Sequence, residues 1–373
     1  MGTVDGSFPL YDLARWINGL AFRQQDFTDS GDPIIKIAEL KNGVTAETKL
    51  TSATFDPRYR VRAGDLLYSW SGSPETSLDA FWWSGQEGWL NQHIFRIEPR
   101  SVVSGEYLYY LLKALRSRLV AIARDKQTTG LGHVTQQDLR RLVVNIPARD
   151  DQDKVVGVLG ALDDRIELNQ RMSETLEALA QASYNLLRRS SHGVGRLGDM
   201  LELAYGKALK ASDRKLGSVP VYGSNGIVGR HDEALSPGPG IVVGRKGNPG
   251  VVTWAEEPFF AIDTTFYVVP RLGEASLVHL YFALRKADLP SFAADSAVPG
   301  LNRNIAYGLE IELPEAEALR RFDGVVSPLF AKKAMNNRES RTLAELRDAL
   351  LPKLISGELR VRDVDAIAES ADL

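Results

Sequence analysis

None of the 373 residues is cysteine, which excludes disulfides, thiolate metal sites and a cysteine nucleophile. Histidine is scarce, and the five present (His93, His133, His192, His231 and His279) include no pair spaced as helical metal ligands, so neither a metal nor another cofactor is expected in this chain. No apolar run approaches the ~20 residues of a membrane-spanning helix. The opening Met1-Gly2-Thr3-Val4-Asp5-Gly6 lacks the basic and apolar regions of a secretory signal, so a cytoplasmic protein is expected. Catalytic signatures are missing as well: there is no Walker-type phosphate loop, no Gly-x-Ser-x-Gly elbow and no His-Glu-x-x-His helix. Asn248-Pro249-Gly250 opens like the Asn-Pro-Pro-aromatic motif of amino-methyltransferases but lacks the second proline and the stacking aromatic. A net charge of -3 gives no global sign of a nucleic-acid partner.

What is present is a duplication. Asn169, Arg171, Ser173, Thr175, Leu176 and Leu179 recur 167 positions later as Asn336, Arg338, Ser340, Thr342, Leu343 and Leu346, and the same offset carries Pro147 onto Pro314 and Leu187 onto Leu354. A period this long, seen once, is a doubled half-molecule rather than a solenoid of ~20 to 50-residue units. Each half runs from a mixed globular segment into one long amphipathic helix. In the first helix Val155, Leu159, Leu162, Ile166, Leu176, Leu179 and Leu186 make an apolar stripe, with Asn169 and Ser173 filling its middle. The shifted stripe comprises Phe322, Val326, Leu329, Lys333, Asn336, Ser340, Leu343, Leu346, Leu350 and Lys353. Two such stripes can bury each other as an antiparallel coiled coil, in which Asn169 and Asn336 would fix the register. The alternative for both asparagines is a solvent-facing position after a stutter in the heptads.

The globular segments read as α+β. Strands are expected at 34–37, 65–70, 93–97, 240–244 and 265–269, and helices at 107–123 and 277–286. Gly130-Leu131-Gly132 against Gly300-Leu301-Asn302 is the clearest local match between the globules, which otherwise share order more than residues. From Lys113 to Arg141 seven basic residues face two acidic ones, which suits either a nucleic-acid surface or a solvated helix face. The acidic tail with Asp363, Asp365, Glu369 and Asp372 is expected to be disordered.

Four polar loops, two in each half, carry the chemistry of DNA recognition. The candidates are Ser69, Trp70, Lys126, Thr128, Thr129 and His133 in the first half, and Tyr222, Ser224, Asn225, Arg245, Lys246, Asn248, Asn302 and Arg303 in the second. Arginine or lysine suits guanine O6 and N7, asparagine or glutamine suits adenine N6 and N7, and hydroxyls suit phosphate. Any one of these loops could equally be an ordinary hairpin turn with a polar tip.

The repeated Asn-x-Arg-x-x-x-Thr-Leu helices, the ending Leu350-Leu351-Pro352-Lys353-Leu354-Ile355-Ser356-Gly357-Glu358-Leu359, and Val221-Tyr222-Gly223-Ser224-Asn225-Gly226 with Gly244-Arg245-Lys246-Gly247 resemble the DNA-specificity subunit of type I restriction-modification systems. Trp16-Ile17-Asn18-Gly19-Leu20-Ala21-Phe22, followed by Ile35-Lys36-Ile37-Ala38-Glu39-Leu40, is similar to the opening of its first target-recognition domain. The resemblance implies two target-recognition domains (1–150 and 191–315) related by pseudo-twofold symmetry, long antiparallel helices (151–190 and 316–357) and a tail (358–373). It implies a non-catalytic subunit in which each domain reads half of a bipartite, asymmetric site in double-stranded DNA through the major groove. The partners implied are two modification subunits on the helices and possible restriction and translocase subunits, with S-adenosylmethionine, ATP and Mg on those partners. Two other classes remain open from the residues alone. One is a stand-alone DNA-binding regulator or scaffold, and the other an enzyme using Asp263, Asp295 and the Glu256-Glu257 pair.

Overall fold

The computed structural model describes residues 6–127, 130–189, 191, 193–271, 276–292 and 300–361. It divides into two compact units, one made of Met1–Ile166 with Thr342–Leu373, the other of Glu167–Arg341. The divisions fall inside two helices of 41 residues, Arg149–Arg189 and Ala316–Ser356. Each unit therefore owns a globular domain and a part of both helices.

In the first unit Ala14–Asn18, Ile94–Pro99, Leu66–Ser69 and Asp79–Trp82 lie side by side in that order as an antiparallel sheet. Leu66–Ser69 is covered on both faces, and all four of its residues are buried. The strand expected at 34–37 is instead Asp32–Ile35, paired parallel to Gly88–Leu90. The backbone N–H of Lys36 donates to the Glu39 carboxylate at 3.0 Å, so Ile37 opens a helix rather than extending the strand. The helix expected at 107–123 is two helices, Gly105–Ala114 and Arg116–Asp125, separated at Leu115 where ψ relaxes to -4°. That break lets Leu108 and Leu111 of one piece and Leu119 and Ala123 of the other reach a single core, which Val155, Leu159 and Leu354 of the long helices complete. Asp163 accepts from Arg347 at 2.7 Å and from the Tyr110 hydroxyl at 2.8 Å, tying both long helices to the domain.

The second unit repeats the plan. Leu201–Tyr205, Thr265–Pro270, Gly240–Gly244 and Val252–Ala255 form the matching antiparallel sheet, and Val219–Gly223 runs parallel to Phe260–Ala261. Ser276 caps the helix Leu277–Lys286 by accepting the His279 N–H, as Ser104 caps Gly105–Ala114 by accepting that of Tyr107. Ala180, Tyr184, Leu187, Phe322, Val326 and Phe330 join the domain's core. Ser173 reaches Asn337 and Glu177 reaches Lys333, so one helix number rises by four as the other falls by four and the two run antiparallel. Burial would raise the Glu177 carboxyl, but Lys333 and Arg285 more than offset it and hold it below the ordinary carboxylate range. The Glu256-Glu257 pair is committed to the same helix: Asn337 donates to Glu256 at 2.6 Å, and Arg341 pairs with Glu257 at 3.1 Å.

The apolar stripes follow the expected path only part of the way. Leu179 (52%) and Leu186 (64%) are exposed, whereas Ala180, Tyr184 and Leu187 are buried. Leu346 (45%) is likewise exposed and Leu354, not Lys353, takes the buried place. The expected order took two steps of three in succession, from 173 to 176 to 179. On a helix of ~3.6 residues per turn that carries a side chain about 120° off the stripe, and a step of four is needed to stay on it. Asn169 and Asn336 are 1% exposed, buried rather than solvent-facing. Neither amide has a hydrogen-bond partner for its nitrogen or its oxygen among the described residues. The acidic tail from Asp363 onward lies outside the described residues.

Candidate nucleic-acid interface

The register of the two antiparallel sheets gives a residue-by-residue match between the domains. Phe95 lies between Asn18 and Tyr68, and Phe266 lies between Tyr205 and Val243. Counting outward from those cross-strand partners, Trp70 in the first domain stands where Arg245 stands in the second. Backbone bonds agree: Trp70 N–H donates to His93 and its carbonyl accepts from Val134, while Arg245 N–H donates to Thr264 and its carbonyl accepts from Leu301. Ser71 opposite His133 corresponds to Lys246 opposite Gly300. The helices that follow are capped by Thr135 and Asn302, which places Gln136 where Arg303 lies. Leu301 thus matches Val134, so the expected pairing of Leu131 with Leu301 was three residues out.

One glycine in each domain permits this arrangement. Leu20 bridges to Asn91 and Lys207 to Ile262, bringing the strand end against a neighbouring loop. An added Cβ at Gly19 would overlap the Asn91 carbonyl, and one at Gly206 that of Ile262.

The tips carried on this shared backbone differ in chemistry. In the first domain the Trp70 indole N–H donates to the Asn18 side-chain oxygen at 2.9 Å, and its ring stacks on Phe95 with centroids 5.5 Å apart. His93 is 5.9 Å from that indole, and burial lowers its pKa, keeping it neutral. In the second domain Tyr205, 50% exposed, lies between two guanidinium groups, Arg245 at 5.0 Å and Arg303 at 4.9 Å from its ring centre. Arg245 also donates to the Asp263 carbonyl at 3.0 Å. The Asn248 amide bonds to the Asn225 side chain, which brings the loops 223–226 and 245–250 together. Lys207, Lys246 and Arg303 have no carboxylate partner among the described residues.

Residues 6–178 match the family of type I restriction modification DNA specificity domains. The chain is 21% identical to the HindI type I restriction enzyme specificity subunit of Haemophilus influenzae over 80% of its own length and 87% of that protein. It is 25% identical to the MjaIX specificity subunit of Methanocaldococcus jannaschii, with 74% and 73% covered. The family match and these two relatives support reading the chain as a specificity subunit of a type I restriction-modification system. Its fold is that of the crystal structure of the S subunit from M. genitalium, with a TM-score of 0.60 at 19% identity and 95% and 96% of the two chains covered.

The expected interface residues divide into four groups. Trp70, His133, Ser224, Asn225, Arg245, Lys246, Asn248, Asn302 and Arg303 are at least partly exposed and lie on or beside the strand ends just described. Ser69 and Tyr222 are buried, because each sits inside a strand paired on both sides. The Tyr222 ring packs edge-on against Phe259, and burial pushes its hydroxyl up to about 12. Lys126 is held at 2.5 Å from Asp138. Thr128 and Thr129 lie outside the described residues. The basic run around Lys126 is mostly neutralised internally: Lys113 and Arg116 meet Asp79, Arg124 meets Glu75, and Arg140 covers the Tyr11 ring. Sequence reasoning missed Asn18 and Tyr205, since each ends a strand whose neighbour is far away in the chain. Among the described residues no group of three or more His, Cys, Asp or Glu is placed to hold a metal, and no helix is long and apolar enough to cross a membrane. Asp295 lies outside the described residues.

Proposed function

We propose that this chain selects the DNA sequence on which a type I restriction-modification complex acts, each domain reading one half of a bipartite, asymmetric site through the major groove. The observation that carries the proposal is the doubled scaffold with unlike tips: Asn18 and Trp70 in one domain, Tyr205 and Arg245 in the other, at matched positions of the same sheet. A protein that read two copies of one sequence would repeat its tips along with its strands. Asn169 and Asn336 fix the register of the helix pair, and the helices, each about 60 Å long at ~1.5 Å per residue, set the unread spacer between half-sites. The modification subunits dock on these helices and bring S-adenosylmethionine, while ATP and Mg belong to restriction partners. This chain itself contributes recognition and no bond-making step.

The test is to map methylated bases in a host that expresses this chain with its partner subunits. A two-part motif with a fixed gap, lost when this gene is deleted, is expected. A continuous or palindromic motif would refute the proposal. Adding two helical turns of heptad sequence to both long helices should lengthen the gap and leave both half-sites unchanged.

A further inference from the structure

The side chains at the matched strand ends belong to two chemical kinds. The first domain presents carboxamides: Asn18 on a strand end with its oxygen accepting from Trp70, Gln92 in the turn before Ile94 with its amide 3.3 Å from the His93 Nε2, and Gln136 on the helix beyond. Where Leu20, Ser71 and Gln136 stand in the first domain, the second carries Lys207, Lys246 and Arg303, and Arg245 replaces Trp70. A carboxamide offers one acceptor and one donor side by side, the complement of adenine N7 and N6. A guanidinium offers two parallel donors, the complement of guanine N7 and O6.

The second group is also held still. The Tyr205 ring lies against both Arg245 and Arg303, and the Asp263 carbonyl accepts from one Arg245 nitrogen, so the planar fork is oriented before any ligand arrives. The Arg245 backbone bonds to Thr264 and Leu301 place its Cα independently of the side chain.

We infer that the two domains read half-sites of opposite base character. The first reads A·T pairs through Asn18 and Gln92, and the second reads at least one guanine through Arg245, with Tyr205 as its positioning residue. This rests on the proposed function above and adds to it which domain reads which kind of base.

The experiment selects bound duplexes from a randomised DNA pool with the complex of this chain and its modification subunits. It compares wild type, Arg245→Lys, Tyr205→Leu and the pair Asn18→Ala with Gln92→Ala. Lysine keeps the charge but loses the planar fork, so a phosphate contact would tolerate Arg245→Lys while a base contact would not. Arg245→Lys should cut the preference for one guanine by roughly 5- to 150-fold and leave the other half-site untouched. Tyr205→Leu should weaken the same guanine preference, and the paired amide variant should relax an A·T position in the opposite half. Equal weakening on all sequences, or relaxation of an A·T position by Arg245→Lys, would overturn the inference while leaving two-part recognition intact. Selection of no two-part motif by wild type would remove the proposed function itself. Unchanged melting and unchanged capture by the modification subunits identify variants that remain folded.

Discussion

Replacing Asn169 and Asn336 together by leucine, which branches at the same carbon, is expected to make the protein more stable and less faithful. Each asparagine is buried with both amide atoms unpaired among the described residues. An unsatisfied buried polar group costs ~1–3 kcal/mol, so each amide carries a penalty of several kcal/mol. Leucine removes that penalty, and crowding by its larger side chain returns ~1–3 kcal/mol. A net gain of about 1–3 kcal/mol per site remains. Thermal melting followed by circular dichroism should show an upward shift of roughly 2–4 °C for each kcal/mol in a unit of this size. Specificity should move the other way, because a stripe without these two amides pairs almost as well after sliding one heptad, a displacement of about 10 Å. The spacer in the methylated motif, single in the wild type, should become mixed. A lower melting point would mean the amides are paired in solution and the accounting is wrong. A higher melting point with an unchanged spacer would leave the asparagines without a role in register.

His279 is packed between Tyr184 and Phe322, and burial lowers its pKa from 6.5 to about 4. Its contribution is complete above pH 6.5 and is lost as pH falls toward 4, by ~3 kcal/mol, because only the unfolded chain takes up the proton over that range. Urea melts of His279→Leu should lack this portion of the acid dependence, and identical pH profiles would refute the assignment. Gly206→Ala forces a methyl group into the Ile262 carbonyl and should cost ~1–3 kcal/mol while disturbing only the half-site read by the second domain. Loss of both half-sites in a selected-duplex assay would contradict that. Leu354→Ala opens the core around Val155 and Leu159 and should cost ~2–5 kcal/mol in denaturant melts, and a cost below ~1 kcal/mol would mean the contact is not made in solution.

The order of parts and the antiparallel helix pair were legible because a repeated heptad stripe is a local signal with a period. The same signal failed at Leu179 and Leu346, where a leucine stands one residue ahead of the stripe and hydrophobicity alone favours it over Ala180 or Arg347. Strands at 66–69, 94–99, 240–244 and 265–270 were found within a residue or two from their apolar runs. The break at Leu115 was not, since nothing in Lys113–Arg118 is a helix breaker and the turn answers to the core beneath it. The interface was read from loop composition, which finds Trp70 and Arg245 but admits Ser69 and Tyr222. Exposure in a strand depends on pairing at both edges, and neither edge is visible in one stretch of sequence. Asn18 and Tyr205 escaped for the same reason, because they acquire meaning only beside Trp70 and Arg245.

The first unit is assembled from two distant pieces of chain, Met1–Ile166 and Thr342–Leu373, whereas the second is continuous. A ribosome releases residues in order at ~5–20 per second, so the second unit is wholly synthesised while the first still lacks a wall of its core. Val155 and Leu159 wait for Leu354, and Asp163 waits for Arg347, across more than 180 residues of chain. The domain made first is therefore the one finished last. A nascent chain arrested short of Arg347 should hold a protease-resistant second unit beside a digestible first one. Equal resistance in both would show that the first domain closes without its distant piece.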